Sequence, residues 1–518
     1  MVEKPGSFDR RTFLRTASGL GMALAAPSAV NSKILPVEIP SDITDLSASQ
    51  LSQAIRARDL SCVDVMQAYL DRIDRINPAY NAIVSMPDYE SLFAAAVQAD
   101  RDLDQGLYRG WLHGMPHAIK NLSNARGLET SRGSRIFAGT IADSDDLFVS
   151  RIRNAGAIFI GKTNTPEFGL GSQSYNDVHG TTLNAYDNRL TAGGSSGGAS
   201  VGLATHMLPV ADGSDMMGSL RNPAGFNNII GYRPSQGRVP RYPGSDVFYN
   251  QLGAYGPMGR NVEDTIRLLG TMAGFDSRDP LSLRDEIPGF EEFKPAALRD
   301  YRIGWMGDYE TYLPMQPGVM ELCERSLRSL GDTGVIVEHC MPQHDMARLW
   351  QTWLTFRHWA LGEAKELYDN PQHRKMLKPE VVWEIEGSFP LTAAQVKNAG
   401  IARTDWYRAL QELFERFDVL AVPTAQVFPF DAKTHWPGTI NGTTMDTYHR
   451  WMEVVIGGTL SGLPVINLPA GFNEDGVPMG MQYIGRMGED KALLEFALAY
   501  ENATDYLDRR PDTSGIKG

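Results

Sequence analysis

Cysteine is scarce in this chain of 518 residues: Cys62, Cys323 and Cys340 are the only three. They are too few for a disulfide framework, and none stands in a CxxC or a Cys/His cluster with metal spacing. The ten histidines are scattered, without HExxH or a similar pairing, so neither a metal nor a cofactor is expected. No run of about 18 apolar residues occurs, which argues against a spanning helix and against stable membrane insertion. Basic residues are outnumbered, 49 Lys and Arg against 62 Asp and Glu, for a net charge of −13. Phosphate backbones need a basic surface, so no nucleic-acid partner is expected. Internal repeats and low-complexity linkers are also missing. The length alone would suggest about three domains, but the chain is read as one large one. What it does have is 51 glycines and 30 prolines, material for many turns, in a composition that is 42% hydrophobic and 21% charged.

The first residues read as an address. Asp9-Arg10-Arg11-Thr12-Phe13-Leu14-Arg15 is a twin-arginine pattern, followed by a weakly apolar run from Ala17 to Ala26. Such signals direct folded proteins across the bacterial inner membrane. Residues 1–29 are therefore expected to be an export signal, cleaved after Ala25 or Ala29, and the protein to be periplasmic or secreted.

Ser47 with Gln50 and Ser61 with Asp64 have the spacing of caps at the starts of two amphipathic helices. Met66, Leu70, Ile73 and Ile76 then recur at helical spacing until Pro78 stops the run. Short apolar strands follow at Pro116–Ile119, Ala157–Ile160, Met207–Val210, Val419–Val422 and Val465–Leu468, with helical stretches such as Asp146–Asn154 and Val262–Ala273 between them. This alternation predicts an α/β fold: one domain over residues 30–518, with a mixed, largely parallel sheet covered by helices on both sides. Residues from about 280 to 445 are richer in Trp, His and charge and read as a mostly helical insertion. Its Trp350, Trp353, Phe356 and Trp359 read as core rather than pocket.

The informative region is Gly193-Gly194-Ser195-Ser196-Gly197-Gly198, followed by Asp215-Met216-Met217-Gly218-Ser219-Leu220-Arg221-Asn222-Pro223. Glycine-rich composition alone supports nothing more than a flexible turn. Two Gly-Ser turns close together fit acyl transfer better, because a serine on a Gly turn sits beside backbone N–H groups that can meet an oxyanion. No GxSxG elbow stands in a context suited to a histidine-based triad. The nearest base is Lys120, at the end of the apolar strand in Gly114-Met115-Pro116-His117-Ala118-Ile119-Lys120. A lysine serves as a base only when burial or nearby positive charge lowers its pKa from about 10.4.

These segments resemble the amidase signature family, over about residues 42–505. Gly114–Lys120 is similar to the block carrying that family's catalytic lysine, and Gly193–Gly198 with Gly213–Pro223 to its Ser-Gly-rich signature. Gly161-Lys162-Thr163-Asn164, Gly231-Tyr232-Arg233-Pro234 and Gly476-Val477-Pro478-Met479-Gly480-Met481-Gln482 resemble further blocks. The resemblance implies an amidase that cleaves a C–N bond other than a peptide bond through an acyl-enzyme. Ser219 would be the nucleophile, Ser195 the bridging serine after a cis peptide bond, and Lys120 the base. Backbone N–H groups of Met216, Met217, Gly218 and Ser219 would hold the oxyanion. A small-molecule amide, aryl or hydrophobic, is the expected substrate, with esters as a side activity and a homodimer as the expected assembly. The chain departs from the family pattern at Asn121, where an acidic residue is common, at Met216-Met217, where smaller residues are, and at Asn184-Ala185, which replaces Asn-Pro.

Rival readings remain. Gly156-Ala157-Ile158-Phe159-Ile160-Gly161-Lys162-Thr163 fits the letters of a P-loop, although its middle residues read as strand. A non-catalytic binding protein could keep the same fold. The family's tRNA-dependent amidotransferase role is disfavoured by the export signal and the acidic charge. Ser196 could exchange roles with Ser195, Asp215 and Arg221 are expected to brace the nucleophile turn, and His117, His179 and His206 are expected to pack.

Overall fold

A computed structural model describes residues 37–249 and 251–516. The expected export signal lies outside them. The helices Ala48–Ala57 and Cys62–Tyr80 each open with a complete capping box at the expected residues. Pro78 does not stop the second helix. It sits in the final turn, two residues short of the end, and Asn81 in the left-handed region (φ 54°) ends the helix.

Two sheets carry the site. In the smaller, β1 (Pro116–Lys120) runs parallel to β2 (Ile158–Thr163), which also pairs antiparallel with the short strand Ile83–Val84. Every residue of β1 and β2 is buried, as parallel strands covered on both faces require. The larger sheet has eight strands: β3 (Ala211–Asp215), β4 (Ile230–Arg233), β5 (Ala254–Gly259), β6 (Arg302–Trp305), β7 (Ile336–His339), β8 (Val419–Pro423), β9 (Val465–Phe472) and β10 (Pro478–Ile484). Their order is β7-β6-β8-β10-β9-β4-β5-β3. The sheet is mixed, as expected: five strands run one way and three the other, with parallel ladders confined to β7-β6-β8. Successive strand residues point to opposite faces. Gln482 of β10 accepts a hydrogen bond from Arg221 of the helix Arg221–Phe226, while Tyr483 packs on Phe496 and Tyr500 of the helix Asp490–Ala503. Helices therefore cover both faces.

Two expectations change. Met207–Val210 is not a strand: Met207, Leu208 and Val210 are buried in the core, and the strand beyond them, β3, is the polar run Ala-Asp-Gly-Ser-Asp. Residues 280–445 are not an insertion either, because they supply β6, β7 and β8 to the main sheet. β6 and β7 have four residues each and β7 is a largely exposed edge, so neither offers an apolar run to read. The α-helices of this stretch are Val319–Ser329 and a cluster within 346–414, where Trp350, Trp353 and Phe356 are buried as core residues. From Val37 onward the chain is one compact unit, and among the described residues no helix is long and apolar enough to cross a membrane.

Candidate active site

Lys120 ends β1 and is 1% exposed. Its Nζ lies 2.8 Å from Ser195 Oγ, 2.8 Å from Ser196 Oγ, 3.0 Å from Ser214 Oγ and 3.3 Å from the Ser214 carbonyl oxygen. Among the described residues, no carboxylate contacts this nitrogen. Burial therefore dominates: by penalising the ammonium it brings the pKa from 10.5 down to about 7, while Asp212 and Asp215 pull it back up. Near neutral pH the free amine is well populated and can accept a proton.

Ser195 and Ser196 stand directly before the helix Gly197–Ala204, and the Gly194–Ser195 peptide is cis, as the family resemblance implies. Ser219 follows Gly218, whose φ is 78°; a Cβ there would lie 2.0 Å from Asn222 Oδ1, so only glycine fits this turn. Ser195 and Ser219 line one cavity of ≈250 Å3 with Leu122, Phe168, Tyr255 and Arg357. Ser196 touches Lys120 equally well but is fully buried and does not line the cavity. Its N–H instead donates to the Ser219 carbonyl oxygen (3.3 Å), tying the two serine turns together. The cavity thus connects Ser195, rather than Ser196, with Ser219.

Asp215 braces the second turn. Arg221 grips it with two nitrogens at 2.9 Å each, and Arg233 reaches its side chain at 3.4 Å and its carbonyl oxygen as well. These guanidinium groups hold the carboxyl well below the usual carboxylate range. Asp215 also accepts from the Gly218 N–H (3.0 Å) and the Leu220 N–H (3.1 Å). This corrects the expected oxyanion donors: the Gly218 N–H is already spent on a charged acceptor, a stronger partner than a neutral carbonyl. The N–H groups of Met216, Met217 and Ser219 meet no acceptor among the described residues.

Residues 64–494 match the amidase family. The chain belongs to this family. It is 31% identical over 474 residues to an acylamidase of Rhodococcus erythropolis, spanning 90% of this chain and 98% of the relative. It is 32% identical over 492 residues to one of the subunits of the glutamyl-tRNA(Gln) amidotransferase of Symbiobacterium thermophilum, spanning 90% and 98%. Among solved structures, a bacterial aryl acylamidase of the amidase signature family superposes with a TM-score of 0.83 at 27% identity, over 89% of this chain and 98% of that one. A peptide amidase from Stenotrophomonas maltophilia gives 0.74 at 26% identity, over 90% and 98%. The protein is a hydrolase acting on amides.

In this amidase the P-loop letters form a strand. Residues 158–163 are all β2, and Lys162 buries its amine against the Ser123 carbonyl oxygen and Thr130 Oγ1, leaving no loop for a phosphate. His179 meets Ser131 and Asn121, and His206 meets Thr44 and Asp45, so both pack as expected. His117 does more than pack, because its Nε2 meets the buried carboxylate of Asp212 at 3.0 Å. Sequence reading also missed Ser214, whose two oxygens both face the lysine amine, and Arg357, which reaches the cavity from the helix Met346–Leu361. Ser214 carries a signal in hindsight: it alternates with Asp215 on a short strand that leads directly into the nucleophile turn.

Proposed function

We propose that this amidase hydrolyses a carboxamide through an acyl-enzyme on Ser219, activated by Lys120 through Ser195. The observation that carries the reading is the 2.8 Å contact from the buried Lys120 amine to Ser195 Oγ, with Ser195 and Ser219 on a common cavity. Ser219 Oγ attacks the carbonyl carbon and passes its proton to Ser195 Oγ, whose own proton moves to Nζ. The N–H groups of this turn that meet no acceptor among the described residues, on Met216, Met217 and Ser219, are the donors for the developing oxyanion. The proton then returns through Ser195 to the departing amine. Water attacks the ester so formed and releases the carboxylate by the reverse route. The reading predicts that kcat/KM falls as pH drops through about 7, because protonated Lys120 cannot act as base. A pH–rate profile measures this, and a rate that stays flat down to pH 5 would sink the proposal.

The cavity also bears on the substrate. Leu122, Phe168, Leu170, Met216, Tyr255 and Leu361 give it an apolar wall suited to an aryl or alkyl amide. Two arginines, Arg241 and Arg357, stand in the same lining. Arg357 is held by Glu384 (2.9 Å) and lies 3.3 Å from the Tyr448 hydroxyl, while among the described residues its Nη1 meets only Met216 Sδ, at 2.7 Å. A thioether is a weak acceptor, and Glu384 already balances the charge, so a neutral oxygen on the substrate suits this donor. An amide carrying an ether or carbonyl oxygen is therefore expected to exceed its methylene analogue in kcat/KM by about 10-fold or more. The preference should collapse in Arg357→Gln; an equal preference in that variant counts against the assignment. The acylamidase relatives fit this class, and the net charge of −13 opposes a tRNA partner. The twin-arginine pattern at Asp9–Arg15 supports action outside the cytoplasm, in the periplasm or beyond.

A further inference from the structure

A carboxylate approaches Lys120, though not at its amine. Asp212, on β3, is fully buried; one oxygen accepts from the Lys120 backbone N–H (3.2 Å) and the other meets His117 Nε2 (3.0 Å). His117 and Lys120 both lie on β1, so this one side chain joins the small sheet to the edge of the large one. His117 Nδ1 has no partner among the described residues. The tautomer protonated at Nε2 gives Asp212 its donor and leaves only a lone pair unmet at Nδ1, so the ring orients the carboxylate without cancelling its charge.

The other charged groups around this cluster are accounted for. Asp215 is neutralised by Arg221 and Arg233. Lys162, on β2, is held by Ser123 and Thr130 and feels Asp212 only through space. Asn121, beside the lysine, spends its amide on Ser131 and His179 and brings no charge. Asp212 is thus the carboxylate near Lys120 that no cation touches among the described residues.

We propose that Asp212 is a positioning residue that sets how basic the Lys120 amine is, with His117 holding its carboxylate in place. The inference rests on Lys120 acting as the base. Burial weakens the amine as a base, and a negative charge behind the strand restores part of that basicity without occupying Nζ. The contact to the Lys120 N–H also fixes the end of β1 from which the side chain reaches Ser195.

Asp212→Asn removes the charge and keeps the size: its amide oxygen can still accept from the Lys120 N–H, while its NH2 meets His117 Nε2 only once the ring takes the other tautomer. The acid limb of kcat/KM is expected to move to lower pH by about one unit, since the Asp212 charge favours the ammonium. The plateau should fall as well, because a weaker base takes the proton less readily. If that variant does not fold, His117→Val with Asp212→Leu removes both side chains together and leaves neither one orphaned, and the same downward shift is expected. A limb that stays in place or moves upward in a folded variant overturns the proposal. Labelling of Ser219 by a fluorophosphonate separates the two levels of the argument. Labelling retained with an unmoved limb overturns the role of Asp212 alone, whereas a wild type that is not labelled overturns the serine–lysine reading and this inference with it.

Discussion

Replacing Ser219 by alanine is expected to lower kcat/KM for an amide by about 10⁴- to 10⁶-fold, the range seen when a nucleophile is removed from a cooperating set of catalytic groups. Little else should change. Ser219 Oγ has no hydrogen-bond partner among the described residues and opens onto the cavity, while the turn around it is held by Gly218, Asp215 and backbone contacts that alanine keeps. A substitution of this kind costs within about 0.5 kcal/mol of stability. Thermal unfolding should therefore be unchanged while turnover disappears. Residual activity within tenfold of wild type would place the nucleophile elsewhere.

Lys120→Met should cost nearly as much, because the serine is a poor nucleophile without a base. The variant keeps an unbranched buried stem and removes the one group whose desolvation opposes folding at this position. Ser196 keeps its contact with the Ser214 carbonyl oxygen (3.4 Å) once the amine is gone. Two readouts distinguish loss of the base from a packing defect. Ser219→Ala with Lys120→Met should be no slower than Ser219→Ala alone, because groups that act as a unit are not additive. Any residual hydrolysis by Lys120→Met should also lack the acid limb near pH 7. A double variant slower than either single one by the product of their effects would show that the two residues act independently.

Much of this site is legible in the sequence because its parts are local. The glycines around Ser195 and Ser219 mark turns that need unusual backbone conformations, and Gly218 shows why at atomic distance. Lys120 closes a short apolar run, and burial follows from that position. The strand between these parts is legible least. β3 reads Ala-Asp-Gly-Ser-Asp, which pattern reading assigns to a loop, while the apolar Met207–Val210 beside it attracts the strand assignment. The polar strand is stable because each side chain finds its partner from elsewhere: Asp212 from His117 and Lys120, Ser214 from Lys120, Asp215 from Arg221 and Arg233. Such pairing is satisfied only in three dimensions. Arg357 was hidden for a related reason. It stands in a helix far along the chain, and its buried contacts with Glu384 and Tyr448 aim it at the cavity. The exposed edge strand Ile336–His339 and the four-residue strand Arg302–Trp305 carry too little apolar pattern to reveal that the sheet continues through residues 280–445.

The central claim is that Lys120, acting through Ser195, activates Ser219. Mass spectrometry of the protein after exposure to a serine-directed fluorophosphonate tests it most directly. The account predicts one adduct, mapped to Ser219, that forms in the wild type and is lost in Lys120→Met. An adduct on Ser195 or Ser196, or one that forms on Ser219 just as fast without the lysine, would contradict it.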